Sequence, residues 1–472
     1  MSRAGFELSF DLGPRPEEPQ GFGELLPRIS TPPPGPRSRA LAALLREHES
    51  PAISTVARGD VPIFWEAARG ANVLDADGNV YIDTTSAFGV ASVGHRNPTV
   101  IAAVEAQARR LVHGMGDFQP PTIRLELART LRSVLPPGLD RVLFGLTGAD
   151  AVELAVKCAT VYTGRPGVIV FTGAFHGQSY GTLPFAWRSS FGEPFRSQLG
   201  RHVARAPFPD PYRRPQGLSE ADDIARCLEE VRRAAHELAE RGYPPACVLV
   251  EPFQGREGEI LPPPGFLPAL RALCDDLGLL LIFDEIYTGL GRTGRMWACQ
   301  HENVTPDLLC AGKALGGGVP GSIVAGRAAV MDAWQPRGAE APHSSTFLGN
   351  PLFCAAALAV LRELREKALP ERAAREGERL LATLRERTRD LPHVGDVRGR
   401  GLMIGIELVR DRDTQKPYPE MMPAVLQRGL ERGLILLPAG THGNVISLAP
   451  PLTAADAQLH YIAEELPHCL HV

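Results

Sequence analysis

The stretch LLLIFDEIYTGLGRTGRMWACQHENVTPDLLCAGKALGGG, residues 279–318, decides the fold of this chain. Its first five residues are apolar and end abruptly at Asp284 and Glu285, which is typical of a buried parallel strand with a charged group at its carboxyl end. A second apolar run, Leu308–Ala311, is followed after one glycine by Lys313 and a glycine-rich turn. Two neighbouring strands would therefore bring an acid and an amine to the same crevice at a sheet edge.

The amine of Lys313 is unusual in this composition. Of 50 lysine and arginine residues only four are lysine, and Lys313 alone among them follows an apolar strand and precedes flexible glycines. A guanidinium stays protonated, whereas a desolvated lysine can lose its proton and attack a carbonyl carbon. The alternative is a structural lysine bonded to nearby carbonyl groups, and this short motif by itself leaves both interpretations open.

Asp284 and Lys313 belong to a longer pattern. They are 29 residues apart, a spacing that fits a βαβ step from one strand through a crossover to the next. The segment DEIYTGLGRTGR at 284–295, followed by PDLLCAGKALGGGVP at 306–320, resembles the signature of class III (omega) aminotransferases. The match is specific because the acid, the GRTG turn, PDL, the lysine and the glycine run occur in this order.

The resemblance implies a fold-type I enzyme that depends on pyridoxal 5'-phosphate. Lys313 would bind the cofactor covalently and transfer a proton as general acid and base. Asp284 would keep the pyridine nitrogen protonated, which lets the cofactor accept electrons. From the residues alone, a helix N-cap after the strand is the alternative role for Asp284.

Composition restricts the class of protein. The chain has 472 residues, 44% hydrophobic and 22% charged, which predicts a soluble protein with one large and one smaller domain. A formal net charge of -4 argues against a nucleic-acid or anionic membrane surface. No apolar run approaches the ~20 residues that span a bilayer. The eight cysteines lack metal-ligand spacing, so we expect no metal site and reduced thiols in a cytoplasmic protein.

Four segments are predicted along the chain. Residues 1–36, rich in proline and glycine, form an extended arm. Residues 37–82 hold a short helix and a hairpin that turns at Asp77-Gly78, and they pack with the smaller domain. Residues 83–354 form the large cofactor-binding domain. Residues 355–472, long helical patterns followed by short strands, form a small C-terminal α/β domain.

The large domain alternates helical patterns with short apolar strands. This alternation predicts a mostly parallel sheet with helices on both faces and a ligand at the carboxyl strand ends. The resemblance implies a seven-stranded sheet of the type I fold. The predicted strands are Val142–Leu146, Val168–Phe171, Val248–Glu251, Leu279–Phe283, Leu308–Ala311 and Ser322–Ala325.

Two motifs at these strand ends concern the cofactor. In TGADAVELAVKCATVYTG, Gly148 and Ala149 open a helix whose N-terminus suits an anion, and the resemblance makes it the phosphate site. In FTGAFHGQSYGTLPF, Phe175 and His176 follow a strand, so an aromatic ring can lie over a planar heterocycle. The resemblance assigns Phe175 to one face of the pyridine ring and Ile286 to the other.

Two further residues are assigned through the resemblance. Glu251, at the end of a strand, would help to position the cofactor on its substrate side. Thr346, in SSTFLGNP, would reach the phosphate bound by a neighbouring subunit, so the resemblance implies a homodimer with shared active sites.

Three positions depart from the family pattern and concern the substrate. Amino-acid-specific members commonly carry an arginine where NVISLAPPL has Ser447. A glutamate often occupies the place of Arg256, and 4-aminobutyrate-type enzymes have an arginine where this chain has Gln178. The arginine that usually binds a substrate carboxylate through two hydrogen bonds is therefore missing from that side of the substrate pocket.

Two interpretations of this departure stay open. Arg256 binds a substrate carboxylate from another direction, or the substrate is an amine without that carboxylate. A third possibility is that Arg256 pairs with Glu257 or Glu259 at the surface. Phe88, in the loop after the hairpin, would narrow the substrate pocket in each case.

The residues and the resemblance together predict a class III aminotransferase that moves an amino group from an amine or amino acid to a keto acid or aldehyde. The nearest rival is an amino-acid racemase or 2-epimerase, since those enzymes carry a segment similar to PFPDPYR at 207–213. A rival of another class is a binding subunit with the same fold and no activity.

Overall fold

The computed structural model describes residues 15–55, 61–335, 338 and 340–471. Its α-helices are α1 Pro36–His48, α2 Ser86–Gly89, α3 Pro98–Ala108, α4 Thr122–Arg132, α5 Gly148–Thr163, α6 Ser189–Gly192, α7 Glu220–Glu240, α8 Phe266–Leu277, α9 Ala328–Met331, α10 Pro351–Glu366, α11 Leu369–Thr388, α12 Met422–Glu431 and α13 Asp456–Cys469. Its strands are β1 Trp65–Arg69, β2 Asn72–Asp75, β3 Val80–Asp83, β4 Arg141–Gly145, β5 Gly167–Phe171, β6 Val203–Ala206, β7 Pro245–Val250, β8 Leu280–Asp284, β9 Leu308–Ala311, β10 Ser322–Gly326, β11 Val394–Arg400, β12 Met403–Leu408, β13 Leu434–Ile435, β14 Leu437–Ala439 and β15 Val445–Leu448.

The central sheet has seven strands in the order β4-β10-β9-β8-β7-β5-β6. All neighbouring pairs are parallel except those of β10, which runs antiparallel to β4 and β9. The prediction of an α/β fold with a mostly parallel seven-stranded sheet is therefore confirmed. Of the seven strands, the sequence pattern missed only β6, a four-residue edge strand that pairs with β5 alone.

The strands of this sheet are apolar because both faces are covered by helices. In β5, Val168 and Val170 join a buried cluster with α5, whereas Ile169 and Phe171 join the larger cluster that includes α7 and α8. Successive side chains thus point to opposite faces and all of them are buried. This packing fixes the strand ends, where the predicted site residues lie.

The connection from β8 to β9 differs from the expected βαβ step. Within residues 285–307, which are all described, it contains a short 3₁₀ helix, Ala298–His301, and no α-helix. Leu290, Gly291 and Gly294 have φ values of 58°, 89° and 94°, a left-handed backbone that interrupts any helix. Strands β8 and β9 are nevertheless parallel neighbours, with Asp284 opposite Cys310.

Two smaller sheets accompany the central one, in the orders β1-β2-β3-β13 and β11-β12-β15-β14. The first contains the hairpin that turns at Asp77-Gly78, and β13 joins it parallel to β3. Asp77 also accepts hydrogen bonds from the backbone N–H groups of Arg37 and Ser38, at 2.7 and 3.0 Å, so it fixes the start of α1. The N-terminal hairpin and the C-terminal segment therefore share one sheet, while the exact domain boundaries stay a prediction.

All eight cysteines are buried and unpaired. None of the helices in the described part of the chain is both long and apolar enough to cross a bilayer. The expected arm falls partly on residues 1–14, which lie outside the described residues.

Candidate active site

A cavity lies at the carboxyl ends of β5, β7, β8 and β9. It brings together eleven of the residues expected to bind cofactor or substrate and adds six that were not expected. The lining residues are Phe88, Gly148, Ala149, Phe175, His176, Gly177, Glu251, Gly255, Arg256, Glu259, Asp284, Ile286, Tyr287, Lys313, Leu437, Ala439 and Ser447.

Gln178 and Thr346 are the two expected site residues that do not line this cavity. Gln178 follows Gly177, which has a φ of 112°, and its side chain is exposed and does not line the cavity. The expectation of a substrate contact from Gln178 is therefore not met within one chain. Thr346 is also exposed, so its contact with a neighbouring subunit stays a prediction.

Asp284 is the last residue of β8 and is 4% exposed. Its Oδ2 lies 2.8 Å from Nδ1 of His176, and its Oδ1 accepts a hydrogen bond from the backbone N–H of Ile286 at 3.1 Å. Nε2 of His176 is buried and has no hydrogen-bond partner among the described residues. Since no α-helix begins at Asp284, the alternative role as a helix cap does not apply.

Lys313 follows β9 and begins a short 3₁₀ helix. Its φ of 40° is a left-handed conformation that costs energy for a side-chain-bearing residue and is often found at functional sites. Its Nζ lies 4.3 Å from the centroid of the Tyr287 ring. Burial lowers the pKa of Lys313, although the nearby carboxylates of Asp284 and Glu251 oppose this effect. The lowered pKa favours the neutral amine that can attack a carbonyl carbon.

The N-terminus of α5 faces the same cavity. Thr147 caps the helix by accepting a hydrogen bond from the N–H of Asp150 at 3.1 Å, and Asp150 accepts one from Leu146 at 2.8 Å. A Cβ atom at Gly148 would lie 3.0 Å from Cδ1 of Ile286, so a larger residue would crowd the cavity. The first turn of a sixteen-residue helix is thus open to an anion.

Together these groups fit pyridoxal phosphate. The α5 N-terminus suits its phosphate, Phe175 and Ile286 suit the two faces of its ring, Asp284 suits its pyridine nitrogen, and Lys313 suits its aldehyde. Nε2 of His176 has no hydrogen-bond partner among the described residues, so a polar group of a ligand could form this hydrogen bond.

Glu251 connects two parts of the wall. Its Oε1 accepts a hydrogen bond from the N–H of Phe175 at 3.0 Å, and its Oε2 accepts one from Gly255 at 3.1 Å. Burial raises the pKa of Glu251 to about 7. This carboxyl group therefore fixes the backbone that carries the Phe175 ring.

Glu259 lines the cavity but was not among the predicted site residues; the sequence suggested it only as one possible surface partner of Arg256. Its side chain is fully buried and its Oε1 accepts hydrogen bonds from the hydroxyl groups of Ser447 and Tyr287, the latter at 3.4 Å. Its Oε2 is buried without a hydrogen-bond partner in the described part of the chain. Burial raises the pKa of Glu259 to about 8. The motif GREGEI gave no signal for this burial, because charged residues between glycines are typical of exposed turns.

Arg256 is half-buried beside the same cavity. Within residues 15–55, 61–335 and 340–471, its guanidinium makes no ion pair, so the proposed pairing with Glu257 or Glu259 is not formed. Burial and the nearby positive charge of Arg188 lower the pKa of Arg256. Arg256 and Glu259 therefore line the same cavity without forming an ion pair with each other.

A strained loop closes the cavity on one side. Ser86, Ala87 and Phe88 have φ values of 48°, 48° and 62°, and Phe88 is 59% exposed at the mouth. The N–H of Ala87 donates to Asp83 at 2.9 Å, which helps to hold this conformation. Such strain persists only where the surrounding structure enforces it.

Arg292, from the GRTG turn, holds the loop that carries Phe88 in place, and this role was not predicted from the sequence. It is 1% exposed and donates to the carbonyl oxygens of Leu402 and Pro450, at 3.0 and 2.6 Å. It also donates to the hydroxyl groups of Ser86 and Ser92, at 3.2 and 3.0 Å. The motif thus connects the loop of Phe88 to the C-terminal strands.

Comparison with known proteins agrees with this geometry. The family model for class III aminotransferases matches residues 53–470. The chain is 37% identical over 415 residues to the 4-aminobutyrate aminotransferase GabT of Escherichia coli, covering 86% of this chain and 93% of that protein. It is 39% identical over 412 residues to the 5-aminovalerate aminotransferase DavT of Pseudomonas aeruginosa, with the same coverage.

Solved structures give the same result. An amine transaminase from an uncultivated Pseudomonas species, crystallised in its pyridoxal phosphate-bound form, superposes with a TM-score of 0.82 at 29% identity. The match covers 89% of this chain and 97% of that structure.

Proposed function

We propose residue roles for this chain, which belongs to the class III aminotransferase family and catalyses pyridoxal phosphate-dependent transfer of an amino group between an amine and a keto acid. When bound, the cofactor supplies an electron sink for the carbon that carries the amino group. Lys313 is the covalent anchor of the cofactor and the group that moves the proton at that carbon. The observation that supports this role is the lowered pKa of its amine, on the residue that follows β9 by two positions, next to the strand β8 that ends at Asp284.

Asp284 and His176 act as a pair. Asp284 carries the negative charge opposite the pyridine nitrogen, and His176 holds the carboxylate in place through the 2.8 Å contact. Gly148 and Ala149 bind the phosphate with backbone N–H groups, while Phe175 and Ile286 enclose the ring. Glu251 keeps the Phe175 backbone in position.

Arg256 binds a carboxylate of the substrate. Its guanidinium is unpaired within the described chain, half-buried and directed to the same cavity as Lys313. A carboxylate from a substrate would provide the counter-ion that the protein does not supply. GabT and DavT are named for 4-aminobutyrate and 5-aminovalerate, which carry a carboxylate at the end opposite the amine. We therefore propose donors with a primary amine and a distal carboxylate.

A single test separates transamination from racemisation. The enzyme is loaded with cofactor and mixed with one chiral amino acid and no keto acid. We expect pyridoxamine phosphate in an amount equal to the active sites; loss of optical activity without it would contradict the proposal. The 207–213 segment offers no support for the racemase, because Tyr212 and Arg213 contact Gln415 and Glu407 and do not line the cavity.

The enzyme acts as a homodimer with shared active sites. An apolar patch formed by Leu111, Val112, Met115, Phe118 and Phe347 is exposed, with Phe118 at 78%. The segment of residues 111–118 and the segment that carries Phe347 are adjacent, because the ring centroids of His113 and Phe347 are 5.4 Å apart. Thr346 lies next to this apolar patch, as a residue that reaches into a partner's site would. Sedimentation of a Phe118→Asp variant as a monomer would support this assembly, and an unchanged dimer would contradict it.

The enzyme works in the cytoplasm. Eight buried, unpaired thiols suit a reducing compartment. The large domain spans residues 83–354, and the smaller one, residues 355–472, packs with residues 37–82 through the β3–β13 pairing.

A further inference from the structure

We propose that Glu259, Ser447 and Tyr287 form a subsite for a second ammonium group of the donor, distinct from the amine that is transferred. The proposal rests on the transaminase function stated above and specifies its substrate class. Donors with a second ammonium group would use this subsite in addition to the carboxylate site at Arg256, so a diamino acid would engage both sites and an α,ω-diamine only this one.

The first argument is the missing counter-ion of Glu259. A fully buried carboxyl group is costly to ionise unless a cation or several donors compensate for its charge, so burial raises the pKa of Glu259 to about 8, and a bound ammonium group would favour its ionised form. Glu259 accepts only two hydroxyl donors, both on Oε1, and Oε2 has no partner in the described part of the chain. Yet Glu259 lines the cavity, so a ligand that enters can supply the missing cation.

The second argument is that the nearby arginines are engaged elsewhere. Arg398 donates to Asp396, Glu407 and the carbonyl oxygen of Gly258. Arg292 uses its guanidinium on the loop of Phe88 and on backbone carbonyl groups, as described above. Neither forms an ion pair with Glu259 among the residues that the structure describes. The protein therefore leaves this acid for the ligand.

The third argument is the chemistry of the wall. Where the family pattern carries an arginine, Ser447 offers a small hydroxyl group that leaves room for a ligand and can itself accept a hydrogen bond from an ammonium. Tyr287 adds a second hydroxyl within 3.4 Å of Ser447. This wall therefore suits a cation, while Arg256, on the same cavity, suits a carboxylate.

One competing arrangement uses the same residues. The guanidinium of Arg256 could turn toward Glu259 when a ligand binds and neutralise it internally. In that case Glu259 would influence donors with a carboxylate, through Arg256, and would not distinguish a diamine from a neutral amine. The two arrangements therefore predict different donor profiles.

The experiment compares 1,5-diaminopentane with 1-aminohexane, which has the same number of heavy atoms and lacks the second cation. Pyridoxamine phosphate formation by the loaded enzyme is followed in single turnovers over a range of donor concentrations, giving the limiting rate constant of the half-reaction (its kcat) and the half-saturating donor concentration (its KM) separately. We expect the wild type to favour the diamine in kcat/KM by about tenfold or more, the effect of one charge-assisted hydrogen bond. In Glu259→Gln this preference should fall about tenfold, mainly through KM.

Three controls keep the test specific. Glu257→Gln removes the same charge from the same loop, but Glu257 bonds to Thr441 and does not line the cavity, so the diamine preference should stay unchanged. Turnover of 1-aminohexane by Glu259→Gln is measured in parallel, because a loss on this amine equal to the loss on the diamine would indicate a structural role. Thermal unfolding and the cofactor absorbance band of Glu259→Gln should match the wild type.

Three results would overturn the proposal. The first is a wild type with no diamine preference. The second is a Glu259→Gln variant that keeps the preference or loses activity on both amines equally, since that pattern indicates a structural role. The third is a Glu259→Gln variant that loses turnover only of 5-aminopentanoate, assayed as a third donor, which would show that Arg256 pairs with Glu259. Failure of pyridoxamine phosphate to form with any amine would instead refute the proposed function itself.

Discussion

Replacing Arg256 by glutamine should weaken the binding of donors that carry a carboxylate, without lowering the stability of the protein. The guanidinium is half-buried, has no ion pair within the described residues and lies near Arg188, a combination that lowers its pKa and costs stability. Removing it therefore relieves a desolvated charge. A charge-assisted hydrogen bond to a carboxylate contributes about 1.5–3 kcal/mol, so the loss corresponds to roughly 10- to 150-fold in affinity.

The assay uses two donors of similar length, 5-aminopentanoate and 1-aminopentane, on wild type and Arg256→Gln. We expect KM for 5-aminopentanoate to rise roughly 10- to 150-fold, while KM for 1-aminopentane changes less than about threefold. Cofactor retention after dialysis and the midpoint of thermal unfolding should be equal to or above those of the wild type. Equal losses for both donors, or loss of cofactor in parallel with activity, would refute a substrate role for Arg256.

Three further predictions concern the phosphate site, the acid on the substrate wall and the loop support. Gly148→Ala should release cofactor faster on dialysis, because its Cβ would meet Cδ1 of Ile286 at 3.0 Å; unchanged retention would contradict the phosphate assignment. In the wild type, the preference for 1,5-diaminopentane over 1-aminohexane should increase between pH 7 and pH 9. The reason is that burial raises the pKa of Glu259 to about 8. The charge of Glu251 raises this pKa further, whereas those of Arg398 and Lys313 lower it. The carboxyl group therefore ionises as pH rises through this value, and the ionised form attracts the second ammonium group of the diamine. A ratio independent of pH in the wild type would argue against an ionising Glu259. Arg292→Gln should lower the free energy of unfolding by about 2 kcal/mol, because two buried carbonyl groups and two hydroxyl groups lose a charged donor; an unchanged unfolding midpoint would contradict this support role.

Much of the fold could be predicted because its signals are local. The apolar runs of β8 and β9 end at a charged residue, and a doubly covered parallel strand must be apolar on both faces. The edge strand β6 was missed because VARA is short and has a mixed burial pattern. The prediction of a crossover helix between β8 and β9 was wrong. Residues with a left-handed backbone and the buried Arg292 shape the GRTG segment, and φ values cannot be predicted from residue types such as leucine.

The residues at the strand ends were predictable, as were Phe88, Arg256 and Ser447 on the substrate wall, but Glu259 and Tyr287 on that wall were not. Lys313, Asp284 and the start of α5 follow strands whose ends must meet at one edge. Glu259 and Tyr287 reach the cavity through a tertiary approach between separate segments, as the Glu259–Ser447 contact across 188 positions shows. A substrate contact of Gln178 stays a prediction, because its exposed side chain does not line the cavity within one chain.

The most direct measurement of the central claim is the visible absorbance of the protein after incubation with pyridoxal phosphate and dialysis, for wild type and for Lys313→Ala. We predict a yellow wild type whose band disappears when an amine donor is added, and a Lys313→Ala protein that folds normally but neither keeps the covalent band nor turns over. A colourless wild type, or a Lys313→Ala variant with full turnover, would contradict the account.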